Sequence, residues 1–165
     1  MSQSQGGNSL PNIEEALKGF LDLVPLERRP LLISLAERMA AERYRGWANR
    51  VTDPAERQGL IACAAREDEI ARRVESLYPD AAAVQNEIVA QNPALADLGR
   101  TLFEPYSLKD QFALQAQGER LGAATWRSMA RKTGEPNSAE VLLGCALLEE
   151  ESAEFLESLI GDQRA

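Results

Sequence analysis

Residues Glu37–Ala48 read ERMAAERYRGWA, and Glu119–Ala130 read ERLGAATWRSMA. The two stretches lie 119 − 37 = 82 residues apart. Carried forward without a gap, this offset pairs Pro54 with Pro136, Leu60 with Leu142, Cys63 with Cys145, Glu67 with Glu149 and Glu75-Ser76-Leu77 with Glu157-Ser158-Leu159. Carried backward, it pairs Pro11 with Pro93 and Leu26 with Leu108. From Glu37 to Leu77, fifteen of forty-one positions are identical to their counterparts, where composition alone would give roughly three to five. The chain therefore contains two repeat units, about 11–77 and 93–159. Each is one supersecondary block with a single apolar side, and pairing two such blocks closes one core.

The chain of 165 residues, 44% hydrophobic and 27% charged, is of a size to fold as one domain without disulfides or metals as staples. Its net charge of −8 and scattered arginines argue against a nucleic-acid partner, which would need clustered Lys and Arg. Apolar runs fall short of the ~20 residues needed for a membrane span. The opening MSQSQGGNS lacks a basic region followed by an apolar run, so residues 1–10 read as a disordered tail and the protein as cytoplasmic. Cys63 and Cys145 are read as small buried core residues, with a disulfide or a metal-binding thiol pair as the alternatives.

Helical periodicity organises the rest. A short amphipathic helix spans Pro11 to Leu23. A long one runs from about Glu27 or Pro30 to Val51, and another from the Asp53-Pro54 start to Tyr78. A connector at 80–92 can be helical at Ala81 to Val89. The second unit repeats the plan, with a short helix to Phe103, a long one from about Leu108 to Lys132 and a last one to Ile160. No stretch alternates long enough for a strand. The expected class is all-α: two helical hairpins joined by a crossover into a four-helix bundle, each hairpin preceded by a short helix.

Stepping ~100° per residue around each long helix places Glu67, Glu119 and Glu149 inside apolar stripes. Glu37 falls toward the edge of the stripe of Leu32, Ala36, Met39, Ala40 and Tyr44. Four ionised carboxylates in a bundle core require compensation by metal ions, shared protons or buried arginine. Two divalent cations would balance four negative charges, which is the physical case for a dinuclear metal site of Glu37, Glu67, Glu119 and Glu149.

On these residues the sequence resembles the ferritin-like superfamily, and rubrerythrins in particular. Glu37 with Tyr44 and Trp47-Ala48 is similar to their first ligand helix. Arg66-Glu67-Asp68-Glu69-Ile70-Ala71-Arg72-Arg73 is similar to the second, and Leu148-Glu149-Glu150-Glu151-Ser152-Ala153-Glu154 to the fourth. The resemblance spans Leu31 to Ile160 and implies a homodimer with a dinuclear Fe or Mn centre and oxidoreductase chemistry. It departs from the family's Glu-x-x-His pattern, because Ile70 and Ser152 stand where histidine is expected and the chain has no histidine. An all-oxygen donor set suits Mn²⁺, Mg²⁺, Ca²⁺ or ferric iron better than ferrous iron.

Two other readings compete. A metal-free scaffold of the same fold would act as a dimeric or partner-binding protein, its glutamates protonated, hydrogen-bonded or matched by Arg43, which projects near the middle of the first long helix's apolar stripe. Alternatively, Ala-rich and Gly-containing walls at Ala40, Ala64, Gly122, Ala123 and Gly144 leave room for an apolar ligand between helices. Tyr44 and Trp126 are either ordinary core aromatics or shape the site from a neighbouring face. The acidic cluster Glu150, Glu151 and Glu154 reads as a solvated face. No organic cofactor is indicated.

Overall fold

A computed structural model describes residues 9–161. Seven α-helices and no strand are present among them: α1 (Ile13–Leu21), α2 (Arg29–Ala48), α3 (Pro54–Glu75), α4 (Ala81–Gln91), α5 (Leu95–Phe103), α6 (Leu108–Lys132) and α7 (Pro136–Gly161). A 3-10 turn at Leu26–Arg28 leads into α2. The expected tail falls mainly on residues 1–8, outside the described residues, while Leu10 packs against the core. Among the described residues, no helix is long and apolar enough to cross a membrane.

Local chemistry sets the helix starts. Asn12, Asp53 and Ser107 cap α1, α3 and α6, each side chain accepting the backbone N–H three residues on, and Pro54 occupies the first turn of α3. Between α6 and α7 the chain turns at Gly134, whose φ of +67° lies in the left-handed region that glycine occupies without a Cβ penalty.

Both units share one plan at an offset of 82. Ile13 and Leu95 open α1 and α5, Leu21 and Phe103 close them, and Pro54 and Pro136 open α3 and α7. The buried residues of α3 are Leu60, Cys63, Ala64, Glu67, Ile70, Ala71 and Val74, and each has its counterpart 82 positions on buried in α7. Ion pairs recur as well. Arg38 Nε donates to Glu75 at 3.0 Å, as Arg120 Nε does to Glu157, and Arg45–Asp68 is matched by Arg127–Glu150.

The four long helices form a bundle. Helix α2 lies along α3, α6 along α7, and α3 against α7; side-chain hydrogen bonds from Tyr44 and Trp47 join α2 to α6. The short helices pack outside it, α1 on α6 and α2, α4 and α5 on α2. This is three short helices rather than two, because the connector forms a full helix whose Gln85 amide donates to Ser34 Oγ at 2.7 Å.

The core has two main apolar clusters, one around Tyr44, Trp47, Leu60, Phe112 and Leu156 and one around Ile33, Ile70, Val74, Trp126 and Leu142. Each fully buried Leu or Ile contributes roughly 1.5–3 kcal/mol. Along every long helix a glutamate separates a residue of one cluster from a residue of the other: Glu37 between Ile33 and Ala41, Glu67 between Ala64 and Ile70, Glu119 between Ala116 and Ala123, Glu149 between Ala146 and Leu156. The apolar core is thus interrupted at mid-height by a layer of carboxylates.

Candidate metal centre

All four glutamates are buried, with 8% of Glu37, 0% of Glu67, 1% of Glu119 and 2% of Glu149 exposed. Carboxylate oxygens of Glu37, Glu67 and Glu149 lie within 4.8 Å of one another. Glu37, read from periodicity as an edge residue, therefore belongs to the converging group. Its helix face is closed over by neighbours that a single-helix projection does not contain.

Glu119 stands beside this triad with partners of its own. Its Oε1 accepts from the Tyr44 hydroxyl at 2.6 Å and from the Gln115 amide at 2.7 Å, while Oε2 has no partner. Glu67 Oε1 accepts from Ser152 Oγ at 3.1 Å, and its Oε2 is likewise unpartnered. Glu149 Oε1 accepts from Trp126 Nε1 at 2.8 Å. Tyr44 and Trp126 are accordingly part of the site, each donating to a glutamate. These anchors fix the carboxylates while leaving the second oxygens of Glu67 and Glu119 free, the arrangement an outer shell gives to ligands.

Burial is the main cause of the carboxyl shifts. It pushes Glu37 up to about 7 and holds Glu67 and Glu149 well above the usual carboxylate range, with the neighbouring glutamate charges acting in the same direction. Burial also raises Tyr44, reinforced by the charge of Glu119.

Positive charge approaches the layer only at one remove. Arg43 Nε donates to Gln115 Oε1 at 3.0 Å, and Gln115 in turn donates to Glu119. Arg66 Nε donates to Ser152 Oγ at 3.0 Å, and Ser152 donates to Glu67. No lysine or arginine forms a salt bridge with any of the four glutamates among the described residues. Arg43, the candidate counter-ion, is thus separated from the carboxylates by an amide.

Periodicity did not single out Gln115, and it placed Ser152 on the buried stripe of the last helix without giving it a partner. A signal existed in the repeat itself: Gln115 and Ser152 replace Ile33 and Ile70 of the other unit, so polar groups enter stripes that are otherwise apolar. Cys63 and Cys145 are buried free thiols, and burial pushes Cys145 up to about 12, which suits a packing role.

The donor set fits a hard cation. It is all oxygen and anionic, two of its buried oxygens lack a hydrogen-bond partner, and the ligand atoms already converge. A cavity of about 160 Å³ reaches this layer past α1 and α5 and is lined by Glu37, Glu119, Glu149, Gly118 and Gly122. A Cβ on Gly122 would lie 2.6 Å from Glu149 Oε1, so the glycine makes room for that carboxylate.

Comparison with protein-family models, with characterised proteins and with solved structures finds no match. What the fold and site define is a class: a helical bundle with a buried polycarboxylate layer.

Proposed function

We propose that the protein is an internally duplicated, ferritin-like carboxylate metalloprotein. In this reading Glu37, Glu67 and Glu149, with Glu119 alongside, hold one or two Mn or Fe ions in a cytoplasmic homodimer. The convergence of three buried carboxylates within 4.8 Å, with no salt bridge to any of them among the described residues, carries this reading. A cation relieves the mutual repulsion that otherwise forces these groups to keep protons. Tyr44, Gln115, Ser152 and Trp126 act as outer partners that orient the carboxylates. Bound iron or manganese would supply redox chemistry, and an oxidoreductase role rests on the family resemblance alone.

A second reading is favoured by the two arginine relays: a metal-free scaffold whose layer is stabilised by shared protons and by positive charge one side chain away. Elemental analysis of protein purified without chelator separates the two, repeated after incubation with Mn²⁺ and Fe²⁺ beside an E67Q/E149Q variant. About two equivalents per chain correspond to a dinuclear site and about one to the Glu37–Glu67–Glu149 triad alone. Either should be lost in the variant. Absence of bound metal in the wild type after both incubations overturns the metalloprotein reading.

A further inference from the structure

A second cavity, of about 670 Å³, lies between α2 and α5 and falls in the size range of ligand pockets. Its walls are mostly apolar, with Phe20, Leu32, Leu35, Met39, Val89 and Phe103 among them. Into this surface projects Arg43. Its guanidinium carbon sits 4.0 Å from the Phe103 ring centroid and 5.9 Å from that of Trp47. One edge is occupied, since Nε donates to Gln115. The group forms no salt bridge among the described residues, reaching the carboxylate of Glu119 only through the Gln115 amide, and an arginine among apolar side chains without a directly paired anion is costly.

The position is built by an exchange between the repeats. Gly99 of α5 packs against Arg43, and a Cβ there would lie 2.8 Å from Nη1. Gly99 and Arg43 come from different units, and their counterparts at the 82-residue offset are Leu17 and Thr125. Where the counterpart pair has a large apolar side chain and a small polar one, this pair has a missing side chain and a large cation. Other charges lining the cavity are mostly engaged: Arg38 with Glu75, Arg100 with Asp97, and Glu42 with Arg45. Arg50 forms no salt bridge among the described residues, and Glu104 is exposed.

We propose that this groove binds a monoanionic amphiphile, an organic carboxylate with an unbranched apolar tail, with the carboxylate on Arg43 and the tail along the α2–α5 wall. The guanidinium offers a planar pair of donors that matches a carboxylate, and the apolar side chains beside it accept hydrocarbon.

The test uses decanoate, decanol and acetate with the full-length wild-type protein, by calorimetry and by fluorescence of Trp47, which lines the groove. Decanoate is expected to bind saturably at least about tenfold more tightly than decanol, the discrimination of one charge-assisted contact, and acetate to show no saturable binding. R43Q should bring decanoate to the level of decanol, and G99L, which introduces the side chain found at Leu17, should weaken both. Wild type that fails to bind decanoate, or binds decanol equally well, overturns the proposal without reference to any variant. Unchanged decanoate binding by folded R43Q overturns it as well.

Discussion

At the scale of single residues, the glutamates face a conflict between burial and charge. Burial raises Glu37 from its ordinary 4.5 to about 7. A carboxyl with a folded pKa above its unfolded value holds its proton more tightly in the fold. Its contribution to stability is therefore complete below about 4.5 and is lost as pH rises through about 7. Glu67 and Glu149 shift in the same direction and add to the effect, while Glu69, brought down to about 2 by Arg72 and Arg73, acts oppositely and only below 4.5. In chelator, the melting temperature is expected to fall between about pH 5 and about pH 8, and saturating Mn²⁺ should remove that fall. A flat profile in chelator contradicts the buried ionisation. Tyr44→Phe removes the 2.6 Å donor to Glu119 and should cost about 1 kcal/mol by denaturant unfolding, since Gln115 still donates to the same oxygen.

At the scale of elements, α6 carries two glycines one turn apart in the cavity wall, Gly118 and Gly122. They are not equivalent. A Cβ at 118 meets nothing within 4 Å, whereas one at 122 presses on Glu149. Gly118→Ala is expected to leave cation retention unchanged and to stabilise the helix by up to about 1 kcal/mol. Gly122→Ala should displace Glu149, cost about 1–3 kcal/mol and weaken cation retention in the metal-loading assay; equal behaviour of the two variants would count against the glycine's role. The start of α3 rests on a cap, the Asp53 side chain accepting from Glu56 N at 2.9 Å. Asp53→Ala should lower stability by about 1 kcal/mol in thermal unfolding.

At the scale of the whole molecule, the layer joins the two halves. Each unit supplies two of the four glutamates, and the bonds from Tyr44 to Glu119 and from Ser152 to Glu67 run between units. Thermal unfolding is therefore expected as one cooperative transition, with calorimetric and van't Hoff enthalpies in agreement. Two resolved transitions would show that the units fold independently. Much of this organisation was legible in advance. The 82-residue offset and the 3.6-residue period together identify the long helices and the buried face of α3 and α7, because a duplicated hairpin repeats its burial along with its sequence. The same period left Glu37 toward a stripe's edge, although the dinuclear reading included it, and did not pair Tyr44, Trp126, Gln115 or Ser152 with particular carboxylates. Whether a stripe's edge is covered depends on α1 and α5 packing over it, and which side chain meets which carboxylate depends on how α2 crosses α6.

By itself, the sequence determined that the protein is all-helical and twofold repetitive, and that four glutamates occupy matched depths, since these follow from local periodicity and from identity at a constant offset. Only the tertiary structure decided that Glu37, Glu67 and Glu149 converge while Glu119 is held by Tyr44 and Gln115, and that Arg43 turns toward α5. Distances between helices arise from side-chain packing across the bundle, and no spacing along one chain segment encodes them.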